Sequence, residues 1–382
     1  MDVTAASYSM TAAQRRVMRD ILVCRTAVLG GHLDVCLQCG DKTPSYNSCL
    51  NRHCPKCQSL AQARWIAERK TRILPVPHFH VVFTIPSTLR PLANQNRKAV
   101  FDLLFSTVSS TLRSFGSDPR WLGGQLGVTA VLHTWTRDLR FHPHLHCIVT
   151  AGGLSLDGTR WLAARQPAFL FPVRALGDVF RARMLAGLRA AYDDGTLQCV
   201  GTCANLAEPE RFGRLLGGAA RTRWHVYAKP PFGGAEHVTE YLGRYTHRVG
   251  LSNQRLVHHD DGGVRFRTKD GRTTTLPPLE FIRRFLMHVL PAGFVKIRHY
   301  GLLAAGNVNT RLQAARALLS SPPSEAAPSE SKPSLNVEPE SAEALLRDLT
   351  GIDLRICPRC NFPGRVRMPL LRPEIPLARG PP

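Results

Sequence analysis

The chain is poor in acidic residues. Only 28 Asp and Glu stand against 50 Lys and Arg in 382 residues, which leaves a net charge of +22. An excess this large calls for a polyanion or a membrane surface as partner. Long hydrophobic runs are also missing: no apolar stretch approaches the roughly 18 residues of a membrane span, so a membrane is not expected as partner. The first residues lack the basic-then-apolar pattern of a secretory signal, so a cytoplasmic location is expected. A nucleic acid is therefore the leading partner. An even cysteine complement is lacking too. Eleven cysteines in a chain without a signal argue against a disulfide scaffold and for metal binding in a reducing compartment. No internal repeat is present.

The positive charge is unevenly placed. Residues 320–382 hold eight basic and eight acidic residues, so the whole excess lies in 1–319. Within 320–342, sixteen of 23 residues are Ser, Pro or Glu, a composition that cannot bury a core and reads as a disordered linker. Apolar spacing predicts helices over 11–29 (Thr11 as N-cap, Gly30 as terminator), 58–74, 97–115, 174–194, 235–248 and 279–289. Strands are expected at 79–85, and hairpins at 127–135 with 144–151 and across 263–276. Residues 32–57 read as irregular.

Two CxxC pairs, Cys36/Cys39 and Cys54/Cys57, are separated by 14 residues. Each pair turns two thiolates to one side of a tight turn, as a tetrahedral zinc site requires. Zinc at Cys36, Cys39, Cys54 and Cys57 is the expectation, with Cys49, His53 and His32 as spare candidates. Four thiolates leave no open position, so such a zinc is structural. A third pair, Cys357/Cys360, is half a site, with Cys199 and Cys203 as candidates to complete it.

In His142-Pro-His144-Leu-His146, residues two apart on a strand share a face. His144 and His146 then make half of a metal site with open positions for water or substrate. If the turn of the hairpin is centred between Asp138 and Leu139, His133 lies opposite His144 and supplies a third ligand; His142 and His247 are the alternatives. His78 and His80 show similar spacing but precede an apolar strand, and read as packing residues. On the helix expected at 235–248, Tyr241 and Tyr245 share a face. Arg244 and Arg248 flank them, suited to meet a phosphate; Arg64 and Arg69 on the 58–74 helix are further candidates for DNA contact.

The segments CLQCG (36–40), NRHCPKCQ (51–58), HVVFTIP (80–86), HTW (133–135), HPHLHCIV (142–149) and YLGRYTHR (241–248) together resemble the two-tyrosine HUH transposases, the rolling-circle insertion-sequence family numbered ninety-one. The likeness runs from about Arg25 to Leu303. It implies an α+β fold with a central antiparallel sheet flanked by helices. It also implies an N-terminal zinc-binding domain (1–74), a catalytic domain (75–319) and a short tail (343–382) beyond the linker. The same resemblance implies Mg²⁺ or Mn²⁺ on His144 and His146, although imidazole ligands alone would point to zinc or manganese before magnesium. It further implies attack by Tyr241 or Tyr245 on single-stranded DNA at transposon ends and targets, through a 5′-phosphotyrosine, in a bacterial cytoplasm at the nucleoid.

Two other readings compete: a rolling-circle replication initiator of the same fold, and a zinc-dependent DNA-binding regulator without catalysis. A transposase built on three carboxylates is disfavoured by the 20 acidic residues of 1–319, among which no triad stands out.

Overall fold

The computed structural model describes residues 10–232, 243, 250–268, 271–320, 344, 347 and 351–372. In chain order its labelled elements are α1 (Ala12–Val23), β1 (Gly31–Cys36), β2 (Lys42–Tyr46), α2 (Ser59–Lys70), β3 (His78–Thr84), α3 (Arg90–Gln95) and α4 (Arg97–Ser117). There follow β4 (Gly124–Trp135), β5 (Phe141–Ser155), β6 (Trp161–Ala163), α5 (Val173–Asp193), α6 (Pro209–Arg221) and β7 (Val226–Phe232). The last are β8 (Leu256–Asp260), β9 (Gly263–Arg267), β10 (Thr273–Leu276), α7 (Pro278–Leu286), β11 (Ile297–Gly301), α8 (Arg311–Ser320) and β12 (Arg365–Leu370). The fold is α+β with antiparallel sheets, as expected. The chain divides into two compact units, one of Met1–Trp65, His247–Arg255 and Ala327–Pro382, the other of Ile66–Thr246 and Leu256–Ala326.

In the first unit α1 opens with a capping box, in which Thr11 accepts from the Gln14 backbone while the Gln14 side chain accepts from Thr11 N–H. This satisfies two N–H groups that the helix itself cannot. The helix stops at Val23. A short 3-10 turn, Ala27–Leu29, follows and closes at Gly30, whose φ of 65° suits glycine. Residues 32–57 are not irregular: β1 and β2 pair within 31–46, and β12 adds on the other side of β1. Apolar alternation is absent from these strands because the buried positions of β1 are Asp34 and Cys36, and Asp34 is paired with Arg367 directly across the ladder at 2.8 Å. Residues 365–370 of the tail therefore form a strand of the N-terminal sheet. The linker expected at 320–342 lies outside the described residues from 321 onward.

The second unit is organised by one antiparallel sheet in the order β11-β4-β5-β3-β7, with β6 beside β5. One face carries Phe79, Val81 and Phe83 of β3, Val128, Ala130 and Leu132 of β4, and Leu145, Cys147 and Val149 of β5. These pack with Leu104, Phe105 and Val108 of α4 and Leu176, Phe180 and Met184 of α5 in a single cluster. Strand alternation then sends His80, His133, His144 and His146 to the opposite face. The edge strands β7 and β11 were not legible in advance. One carries Pro230 and Pro231, tolerated at an edge because proline cannot donate to a ladder. The hairpin of β9 and β10 forms across 263–276 as expected.

Candidate metal centres

Strands β4 and β5 are joined by the turn at 136–140, where Leu139 takes a φ of 63°. His288 holds this turn. Its Nε2–H donates to the Leu139 carbonyl (3.0 Å), and its Nδ1 meets the Thr134 hydroxyl (3.1 Å). In the ladder His133 stands opposite His144, whereas Trp135 pairs with Phe141, so an extra residue sits on β5 between them. This bulge falls at His142-Pro143, where proline has no N–H to give. The three imidazoles of His133, His144 and His146 converge, with one nitrogen from each within 4.8 Å of the others. The ring centroid of His133 lies 4.4 Å from that of His146 and 5.5 Å from that of His144. Trp135 stacks on His133 with ring centroids 4.5 Å apart. His142 belongs to the same strand face, but it is not among the three that converge.

Two contacts bear on the tautomers. His144 Nδ1 lies 2.6 Å from the His142 carbonyl and donates to it, which leaves Nε2 as a lone-pair donor. His146 Nδ1 lies 2.8 Å from His80 Nε2. For His146 to aim its Nε2 lone pair at a cation, Nδ1 must carry the proton and donate to His80. His80, read from sequence as a packing residue, is thus a partner of the site; the signal was the His-apolar-His spacing of 78–80 on the strand next to β5. Burial, aided by the nearby His144 and Lys229 charges, holds the His80 pKa down at about 4. Burial does the same to His144, at about 4, and pushes His146 well below its usual range. These rings are neutral at pH 7, the form that binds a metal. The donor set fits a cation with positions left open.

The same burial sets a pH dependence. His78, His80, His142 and His144 titrate at about 4 and His288 at about 3 in the folded chain, each because burial disfavours the charged ring. An unfolded histidine takes its proton near 6.5. Below that pH the unfolded state binds more protons than the native one, so stability is full above about 6.5 and is lost as pH falls toward 4. Thermal unfolding without added Mg²⁺ or Mn²⁺ is expected to show a midpoint several degrees lower at pH 5 than at pH 7.5. An unchanged midpoint would contradict the neutral, buried cluster.

Cations surround the histidines. Arg90, which sequence reasoning passed over, lies close enough to add to the lowering of His142 and His144 caused mainly by burial. The side chain is half-buried, and its buried Nε has no hydrogen-bond partner among the described residues. On α2, Arg64 is exposed and Arg69 half-buried; Arg69 lies near His299, whose pKa is pushed to about 4 by burial and then by Arg69 and Arg72. Tyr241, Arg244, Tyr245, His247 and Arg248 lie outside the described residues.

The cysteines form two groups, and neither is the expected set. Cys24, Cys49, Cys54 and Cys57 make one; Cys36, Cys39, Cys357 and Cys360 make the other. The joint site of Cys36, Cys39, Cys54 and Cys57 is thereby corrected. Strand β2 lies between the two CxxC turns: the first faces β12, while the second returns to the end of α1 beside Cys24. His32 and His53 join neither group among the described residues, nor do Cys199 and Cys203 complete the tail pair. In the first group Cys49 Sγ and Cys57 Sγ are 3.8 Å apart, and the Cys49 and Lys56 amides donate to Cys24 and Cys54 sulfurs. Burial pushes the Cys49 thiol up to about 11 and Cys54 higher still. Four sulfurs gathered this closely, two of them held as thiols by burial, match the donor set of a structural zinc site, where the cation stabilises the thiolates.

Comparison with known proteins bears on both ends of this arrangement. Residues 127–311, which contain all three convergent histidines, match the family described as "Putative transposase". Residues 1–85 match the family described as "Transposase zinc-binding domain", of the IS91 type. The chain is 47% identical over 363 residues to "Putative transposase y4qJ" of Sinorhizobium fredii, covering 94% of this chain and 89% of that one. It is 30% identical over 298 residues to the "Transposase for insertion sequence element IS801" of Pseudomonas savastanoi pv. phaseolicola, covering 74% and 68% respectively. No solved structure matches the chain. Among the described residues no helix is long and apolar enough to cross a membrane.

Proposed function

This chain belongs to the IS91 family of transposases, and from that premise we propose that it cuts and rejoins single-stranded DNA by rolling-circle transposition, with Tyr241 and Tyr245 as nucleophiles. The observation that carries this reading is the convergence of His133, His144 and His146 on the open face of the sheet. A Mg²⁺ or Mn²⁺ ion held by these three imidazoles would polarise the scissile phosphate. Arg90 stands beside the histidines as a further cation for the DNA backbone.

The reaction is a transesterification. A tyrosine loses its phenolic proton and its oxygen bonds to phosphorus. The bond from phosphorus to the 3′ oxygen breaks, and that oxygen takes up a proton. The products are a 5′-phosphotyrosine and a free 3′-OH, so the phosphodiester bond energy is kept for rejoining. Two tyrosines allow two successive transfers without release of the DNA. The excess of basic residues in 1–319 supplies the attraction for the strand. A structural zinc in the N-terminal domain, with Cys24, Cys49, Cys54 and Cys57 as its proposed seat, accompanies this activity.

The test is incubation of the purified protein with labelled single-stranded DNA from a transposon end and Mn²⁺, followed by denaturing electrophoresis. A covalent protein–DNA adduct is expected. Tyr241→Phe with Tyr245→Phe removes two oxygens and little volume, so the double variant should fold and form no adduct. Adduct at the parental level from the double variant would sink tyrosine catalysis.

A further inference from the structure

The tail pair Cys357/Cys360 lies outside the residues matched by the zinc-binding family, which end at 85. Nothing in its sequence neighbourhood completes it. In the folded chain it faces Cys36/Cys39, and three independent features of the pairing agree.

The first is distance. Cys36 Sγ and Cys360 Sγ lie 3.6 Å apart, and Cys39 Sγ and Cys357 Sγ 3.7 Å. Four thiolates around zinc at about 2.3 Å each define a tetrahedron with edges of about 3.8 Å. Disulfide partners would sit at about 2.05 Å. All four sulfurs fall within 4.8 Å of one another.

The second is the backbone of the two turns, which is the same on both sides. The Gly40 amide donates to the Cys36 carbonyl, and the Asn361 amide to the Cys357 carbonyl. The Cys36 amide donates to Asp41, and the Cys357 amide to Phe362. Each turn needs a left-handed residue four places after its first cysteine. Gly40 supplies it at a φ of 69° and Asn361 at 58°, the two residue types that tolerate that region best. A CxxC pair in an unrelated loop would have no reason to copy this geometry.

The third is the strand attached to each turn. β1 runs into Cys36, and β12 leaves the tail turn with Arg365 opposite Cys36. The Leu37 amide donates to the Gly364 carbonyl at 3.0 Å, which ties the turns edge to edge. Further along, the buried Asp34 meets Arg367.

We infer that Cys36, Cys39, Cys357 and Cys360 bind a second structural zinc ion, in a ribbon split between the two ends of the chain. The segment between Cys39 and Cys357 is then a closed loop whose ends zinc holds together. Such a clip acts mainly by removing conformations from the unfolded chain, and the loop it closes here is long. The tail is accordingly a structural part of the zinc module, and truncation at the linker would remove half of a metal site.

The test is metal quantification and thiol mapping on the full chain, purified with a reductant. About two zinc ions per chain are expected, falling to about one in the variant with Cys357→Ser and Cys360→Ser. One zinc in the unaltered protein, or two in the variant, overturns the inference. Alkylation of the unaltered protein followed by peptide mass spectrometry avoids reliance on a variant that folds poorly. Cys36, Cys39, Cys357 and Cys360 should resist alkylation together and become reactive together when a chelator is added. Prompt alkylation of Cys357 and Cys360 without chelator would overturn the proposal. So would protection that yields to reductant but not to chelator, which would mark disulfides.

Discussion

His144→Ala is expected to lower metal-dependent strand cleavage by about 10³-fold or more, with the sheet intact. Withdrawing a metal's charge stabilisation of the transition state costs several kcal/mol, and each 1.4 kcal/mol is a factor of ten in rate. The side chain is half-buried on the sheet face opposite the helices, so its truncation leaves the Phe79–Phe83 and Leu145–Val149 packing untouched. His80→Asn should behave differently. His80 touches His146 rather than the convergent point, and losing such an orienting partner weakens metal affinity by about 10–100-fold. Mn²⁺ titration followed by the electron paramagnetic resonance of the free ion separates the two. His144→Ala should abolish tight binding, while His80→Asn should shift the midpoint to higher Mn²⁺ and recover cleavage at saturation. Parental Mn²⁺ affinity in His144→Ala would remove that ring from the site.

The contrast between these two histidines marks what sequence reveals. His133, His144 and His146 were legible because a hairpin is a local object: its turn position fixes its register, and period-two alternation fixes the face. The register His133 to His144 was reached by assuming a regular turn, whereas the chain reaches it through a bulge at His142-Pro143. His80 was not legible, because its neighbour lies 66 residues away and only sheet order brings β3 beside β5. The cysteines repeat the lesson more sharply. Spacing announced each CxxC turn, since a turn is built from adjacent residues. It could not announce which turns face each other. Cys24 has no CxxC partner and sits where α1 ends, so nothing local distinguished it. The tail strand β12 offered no apolar alternation, because its anchor is the Arg367–Asp34 ion pair. Helices with strong periodicity, such as α4 and α5, came through with their boundaries nearly intact. The N-cap at Thr11 did so for the same reason, as all its atoms lie within one turn.

Cys54→Ser should remove about one zinc per chain and unfold the first residues around it, and it discriminates the two cysteine groupings. Structural zinc contributes roughly 10–16 kcal/mol of apparent binding free energy in small modules, comparable to or larger than the whole stability of a typical domain, about 5–15 kcal/mol. Cys54 is buried with Cys24 and Cys57, against Ile21 and Cys49, and this small cluster has little apolar area to replace the metal. Limited proteolysis should therefore cut Cys54→Ser within 12–57 while sparing the central sheet, whose core among the described residues draws on 79–300. Cys36→Ser supplies the comparison. If Cys36 and Cys54 shared one site, each variant and the pair together would lose the same single zinc. With Cys54 among Cys24, Cys49 and Cys57, and Cys36 among Cys39, Cys357 and Cys360, the losses should add, and the double variant should hold almost none. Equal, non-additive loss of one zinc in all three variants would restore the single four-cysteine site that sequence spacing alone suggests.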